Sequence, residues 1–138
     1  RPLPEHLDEL IERYQAVLPV TLELSPEARE REAGLSGELR AAAHDMVAEG
    51  LLNAFRHAAA SRVEVRLASP QPGILTLEVK DDGVGFEPQA HARGLGLSGL
   101  GDALRAHGGS WNLDSAPGKG TRLTLTLPLQ AKHELEAA

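Results

Sequence analysis

The chain has 138 residues, 14 Lys+Arg against 20 Asp+Glu, a formal net charge of −6, no cysteine, and only one Trp, one Tyr and two Phe. That length implies one domain with a real core, and 41% hydrophobic with 25% charged residues is an ordinary globular composition. It excludes a disulfide framework, a thiolate zinc site and a cysteine nucleophile. The acidic balance argues against nucleic acid as a partner, because gripping a phosphate backbone needs a basic surface. No apolar run approaches the roughly 20 residues that span a bilayer, so no membrane contact by this domain is expected. The start, Arg1-Pro2-Leu3-Pro4-Glu5, has neither an initiator Met nor a signal-peptide core, and predicts a fragment of a longer protein. With so few aromatics, a ligand pocket must come from aliphatic side chains, glycine backbone and polar tips.

Leu7, Leu10, Ile11, Tyr14 and Val17 recur at helical spacing, predicting a helix from Pro4 to Val17 with acids in its first turn. Val20 to Leu24 alternates as a strand, and Ser25 to Leu35 reads as a charged loop. A second helix is predicted from an N-cap at Ser36 to about Ala60. Val63, Val65 and Leu67 then alternate with charged residues, Pro70-Gln71-Pro72-Gly73 turns, and Leu75, Leu77 and Val79 form a second strand ending at Lys80. A glycine-rich stretch from Gly83 to Gly101 precedes a short helix ending near His107. Ser110 to Asp114 and Thr121 to Leu127 are two further strands around a turn at Ala116–Gly120. The polar residues 130–138 read as a tail. Helices among tightly connected strands predict an α+β fold. It is a two-layer α/β sandwich whose mixed, mostly antiparallel sheet carries helices on one face.

Gly94-Leu95-Gly96-Leu97-Ser98-Gly99 matches the dinucleotide fingerprint G-x-G-x-x-G, and Asp114 lies about 20 residues on. That fingerprint needs a buried strand feeding its first glycine. Pro88-Gln89-Ala90-His91-Ala92-Arg93 is no such strand, and hairpins replace the parallel crossovers the reading requires.

Three other features carry chemistry. On the long helix Glu49, Asn53 and His57 are spaced by four, along one face, with Arg56 beside them. A solvated polar stripe would look the same, but Asn is a weak helix former and its amide oxygen is a hard ligand suited to Mg²⁺. Asp81-Asp82-Gly83-Val84-Gly85 follows a strand. It is a turn signal, and it is also a carboxylate able to accept from an exocyclic amine, beside glycines that let a flat base approach. Gly118-Lys119-Gly120-Thr121 alone is a hairpin turn, although the Thr121 hydroxyl could bridge to the same carboxylate.

In this joint order, E-x-x-x-N-x-x-R-H, D-x-G-x-G, G-x-G-L and G-x-G-T, the chain resembles the ATP-binding catalytic domain of sensor histidine kinases from about Val20 to Leu129. That domain has the Bergerat fold, shared with type II topoisomerases and ninety-kilodalton chaperones. The resemblance implies ATP and Mg²⁺ as cofactors. It implies Asn53 as the Mg²⁺ ligand, Glu49 as the acid that activates or orients, and Arg56 and His57 facing phosphate and ribose. It further implies Asp81 as the adenine acceptor, Gly83 and Gly85 shaping the base pocket, Gly94, Gly96 and Leu97 as the second glycine box, and Thr121 near the adenine carboxylate. The short spacer from Glu87 to Arg93 and Asn-Ala-Phe-Arg-His-Ala at 53–58 resemble the nitrate-sensor and membrane-fluidity-sensor kinases.

The same resemblance implies transfer of the γ-phosphoryl to a histidine on a separate dimerisation domain of the same protein, then to a response regulator. Residues 1–3 resemble the end of that domain's second helix. His44-Asp45 mimics the acceptor box but falls inside the nucleotide-binding helix and reads as helix surface. The isolated domain is expected to be monomeric and cytoplasmic, and the full-length protein a homodimer that can be membrane-anchored. Two departures stand out: Gly50 where a helix former is usual, and Gly101-Asp102-Ala103 in place of an arginine-bearing run. The alternative is an anti-sigma-factor-like serine kinase, a sequestering regulator with the same nucleotide fold.

Overall fold

Period-two alternation of Val, Leu and Ile with polar residues builds a five-stranded sheet, seen in a computed structural model that describes residues 1–56, 59–85 and 96–130. In chain order the elements are α1 (Leu3–Tyr14), β1 (Val20–Leu24), α2 (Pro26–Arg31), a 3₁₀ turn (Glu32–Gly34), α3 (Gly37–Arg56), β2 (Val63–Gln71) and β3 (Ile74–Asp81). They continue with α4 (Leu97–Ala106), β4 (Ser110–Ser115) and β5 (Thr121–Pro128). The strand order is β1-β2-β3-β5-β4. β1 pairs parallel with β2, and every other pairing is antiparallel.

One face is buried. Val63, Val65 and Leu67 of β2, Leu75, Leu77 and Val79 of β3, and Leu123, Leu125 and Leu127 of β5 are each at most 5% exposed. The helices cover this face with Leu39, Ala43, Met46, Val47 and Leu51 of α3, Leu7 and Leu10 of α1, and Leu104 of α4. The alternate residues, among them Glu64, Arg66, Lys80 and Arg122, are exposed on the other face. This is the two-layer arrangement the alternation predicts.

Several boundaries differ from the sequence reading. Residues 26–34 are helical, not a loop: Ser25 Oγ accepts from Ala28 N at 3.1 Å and Pro26 stands in the first turn, a capped start that a six-residue charged helix conceals. α1 ends at Tyr14, leaving Val17 61% exposed. α3 is described as far as Arg56, and Ala59, with a left-handed φ of 50°, and Ala60 are not helical. β2 runs on to Gln71, so Pro70 lies within a strand and the turn shrinks to Pro72-Gly73; the ladder is irregular between Ala68 and Gln71. Such irregularity tolerates a proline that donates no ladder bond.

The N-terminal helix is fastened to the rest by Glu32, 6% exposed. Its Oε1 accepts from Leu3 N at 2.9 Å, at the start of α1, and from Arg40 Nε of α3 at 2.8 Å. Leu3 is fully buried, so it belongs to the packing of this domain. Among the described residues no helix is long and apolar enough to cross a membrane.

Candidate functional site

Asp81 and Thr121 are cross-strand partners at the ends of β3 and β5, one inward position beyond the pair Val79 and Leu123. Over that second pair lies Gly50 of α3, whose added Cβ would be 3.5 Å from Val79 Cγ1 and 3.7 Å from Leu123 Cδ2. The next residues along α3 toward its C-terminus bring Asn53, half-buried, and Arg56, exposed at the helix end. Glu49, half-buried, turns to α4: a Cβ on Gly96 would lie 3.0 Å from its Oε2. Gly96 has φ 75° at the N-cap of α4, and Leu97, the first helical residue, is 2% exposed. Three motifs far apart in the chain therefore meet around the helix-covered end of the sheet. His57 and Gly94 lie outside the described residues.

Asp81 is 8% exposed, and its Oδ1 accepts from Gly83 N at 2.8 Å. Burial pushes its carboxyl above the ordinary carboxylate value, against the pull of the Gly83 N–H, with the charge of Asp82 adding to the rise and the backbone N–H of Thr121 opposing it. Thr121 thus reaches Asp81 by its backbone. Its hydroxyl, expected as a bridge to that carboxylate, lies 2.9 Å from Ser115 Oγ, which in turn donates to Gly120 O at 2.8 Å.

The glycines at this end serve a close approach of two loops. Gly118 N donates to Val84 O at 2.5 Å. A Cβ on Gly85, with φ 71°, would sit 2.0 Å from Ala116 O, and one on Gly120, with φ 72°, 2.3 Å from Asp81 O. Gly85 lets the β4–β5 turn close on the β3 end. Gly83, half-buried, supplies the N–H that orients Asp81.

Sequence reasoning missed Ser115, Ser61 and Asp82. Asp82 Oδ1 accepts from Ser61 N at 2.8 Å and Arg62 N at 3.1 Å, and its Oδ2 accepts from the Ser61 hydroxyl. The signal for Ser115 was its place opposite Thr121 across the expected turn; for Asp82 it was only its alternation with Asp81. His44 Nδ1 lies 3.0 Å from Asp45 Oδ1 with its ring edge-on to His6, at 5.7 Å between centroids, so it is a partly covered position between α1 and α3.

No group of three or more His, Cys, Asp or Glu able to hold a metal occurs among the described residues. Mg²⁺ needs no such cage, since it binds through one or two protein oxygens together with substrate phosphates. The Asn53 amide and the Glu49 carboxylate, one turn apart on α3, are hard oxygen donors of that kind.

Residues 38–131 match the sequence profile of the family described as histidine kinase-, DNA gyrase B- and HSP90-like ATPases. An uncharacterized sensor-like histidine kinase of Chloroflexus aurantiacus is 35% identical over 103 residues, which cover 70% of this chain and 17% of that protein. The signal transduction histidine-protein kinase/phosphatase UhpB of Salmonella typhimurium is 32% identical over 134 residues, 91% of this chain and 26% of UhpB. The chain thus spans about a quarter or less of these relatives. A mycobacterial sensor histidine kinase, MprB, superposes with a TM-score of 0.73 at 24% identity, covering 94% of this chain and 96% of that one, a likeness of fold.

Proposed function

This chain belongs to the family of histidine kinase-, DNA gyrase B- and HSP90-like ATPases, and from that membership we propose that it is the Mg²⁺–ATP-binding catalytic domain of a sensor histidine kinase. The observation that carries the reading is the buried carboxylate of Asp81, held by Gly83 N at the end of β3, two residues past the Val79 that Gly50 of α3 covers. In this reading Asp81 accepts the adenine amine, and Thr121 with Gly83 fixes the carboxylate. Gly85 lets the loops close around the base. The glycine box at Gly94, Gly96 and Leu97 meets phosphate at a helix N-terminus, where free N–H groups and the macrodipole favour anions. Arg56 and His57 face phosphate and ribose. Asn53 would hold Mg²⁺, with Glu49 one turn earlier as the acid that orients, and the ion would neutralise charge on the phosphates.

Phosphoryl transfer leaves the protein mostly positioning and charge stabilisation to perform. The bond from the γ-phosphorus to the bridging oxygen breaks as a histidine nitrogen on a separate dimerisation domain bonds to phosphorus, and ADP departs. A response regulator then receives the phosphoryl group. The regulator reading, a sequestering serine kinase, is not favoured, since both relatives described above are named as histidine kinases.

The test is calorimetry of ATP with and without Mg²⁺, followed by transfer of γ-labelled phosphate to a supplied dimerisation domain. ATP binding with label on the histidine supports the assignment. ATP binding with the supplied domain left unlabelled rejects the kinase step, and absence of ATP binding rejects the whole reading.

A further inference from the structure

We propose that Asp82 is a positioning residue for adenine recognition, fastening the end of β3 to the segment leaving α3 so that Asp81 is presented at a fixed place. The inference rests on the role given to Asp81 above.

Strand alternation turns Asp81 inward and Asp82 outward. The last paired residues of β2 and β3 are Val63 and Asp81. Beyond that pair the ladder stops, and Asp82 takes over its work. Its Oδ1 accepts from the backbone N–H groups of Ser61 and Arg62, at 2.8 and 3.1 Å, and its Oδ2 from the Ser61 hydroxyl. Ser61 and Arg62 lie between Ala59, with its left-handed φ of 50°, and the start of β2. One carboxylate therefore ties two chain segments that no ladder bond joins. Bonds from N–H groups to a charged carboxylate are among the stronger ones a surface residue can make. The same donors hold the Asp82 carboxyl below its ordinary value, led by the Ser61 hydroxyl.

The link to the base site is short. The peptide joining Asp82 to Gly83 carries the N–H that Asp81 Oδ1 accepts at 2.8 Å. Fixing Asp82 fixes that donor, and the donor orients the inward carboxylate. Asp82 lines an open cleft of about 420 Å³ together with Asp81, Gly83, Arg62, Lys80 and Lys119. Its action on the base is through Asp81.

The experiment uses the 138-residue chain and measures Kd for ATP and for GTP in the parent and in D81N, D82A, D82N and S61A. D82A is expected to weaken ATP about tenfold, the scale of one lost hydrogen bond to a charged group, and to narrow the preference for ATP over GTP. D82N keeps a carbonyl oxygen for the Ser61 and Arg62 N–H groups and is expected to recover most of both. S61A removes only the hydroxyl donor and is expected to weaken ATP about threefold with the same narrowing. A merely structural carboxylate lowers stability without changing the ATP/GTP ratio. An unchanged ratio in D82A, or in S61A should D82A not fold, overturns the proposal. If D81N binds ATP as the parent does, the Asp81 assignment falls and this inference with it. Loss in D81N alone removes only the role of Asp82.

Discussion

The Glu49 carboxylate rests against the backbone of Gly96, so close that a methyl group on Gly96 would lie 3.0 Å from Oε2 and 3.2 Å from Cδ. It is an anion at the positive end of α4, where the macrodipole favours it. Gly96 is also in the left-handed region at φ 75°. Gly96→Ala thus displaces the carboxylate and adds left-handed strain of about 1–2 kcal/mol. The expected outcome is a Kd for ATP raised about tenfold with unchanged far-ultraviolet circular dichroism. A variant that loses thermal stability yet binds ATP normally would show that this contact is structural only.

Two glycines that depart from the family pattern predict opposite outcomes for one substitution. At Gly50 a Cβ would make ordinary contacts with Val79 and Leu123, at 3.5 to 3.8 Å. Gly50→Ala is therefore expected to raise stability by about 0.5–1 kcal/mol, because alanine relieves the entropy cost of glycine inside a helix. At Gly101 a Cβ would fall 2.2 Å from Trp111 Nε1 and 2.3 Å from Cε2, with the ring already under Arg105 at 5.1 Å. Gly101→Ala must displace the indole, an overpacking that lowers stability by about 1–3 kcal/mol. Urea unfolding of both variants checks the two signs together. The weak helix former in the 101–103 run is thereby explained: it makes room for Trp111.

How far the sequence revealed this domain depends on which force shaped each part. β2, β3 and β5 were legible because one face is buried, and burial imposes period two on Val63, Leu77 or Leu125. α2 was not, because Ala28 is its one buried side chain and six residues give no period to read. At the site, residue types announced Asp81 and Asn53, since carboxylate and amide chemistry depend on side-chain identity. The work of Gly85, Gly120 and Ser115 depends on which loop lies opposite, and that is fixed only when β3, β4 and β5 align.

Glu32 supplies a stability test. It accepts from Leu3 N and from Arg40, whose Nη2 also donates to Leu35 O at 3.0 Å. Removing one member of a buried pair leaves the other without compensation, a loss of about 3–5 kcal/mol. Arg40 keeps the Leu35 carbonyl and its side chain is 23% exposed, so Glu32→Ala is expected at about 3 kcal/mol, the lower end. Denaturant unfolding measures it, and amide exchange at Leu3 should accelerate with it. Glu9→Ala, which breaks the exposed pair with Arg1, is expected to leave the midpoint unchanged.

Asp81 and Asp82 are chain neighbours with opposite linkage to pH. Burial raises the Asp81 carboxyl above its ordinary 3.8, so the folded chain binds this proton more tightly than the unfolded one. Stability contributed by Asp81 therefore falls as pH rises from 3.8 through the folded value, and neutral pH carries the full penalty. Asp81→Asn, which cannot ionise, is expected to unfold at a higher temperature than the parent at neutral pH. The advantage shrinks on acidification and is gone below 3.8. ATP affinity moves the other way, because the parent loses the charge on its acceptor as pH falls through the raised value and the variant lacks that charge throughout. Asp82 is depressed from the same 3.8 by the Ser61 hydroxyl and the N–H of Arg62, so its contribution is present above that value and lost as pH falls through the depressed one. Asp82→Asn should accordingly unfold at a lower temperature than the parent at neutral pH and converge with it in acid. Thermal unfolding of the three proteins from about pH 3 to about pH 8 reads both signs; Asp81→Asn less stable than the parent at neutral pH would contradict the placement of a charged, buried carboxylate at the end of β3.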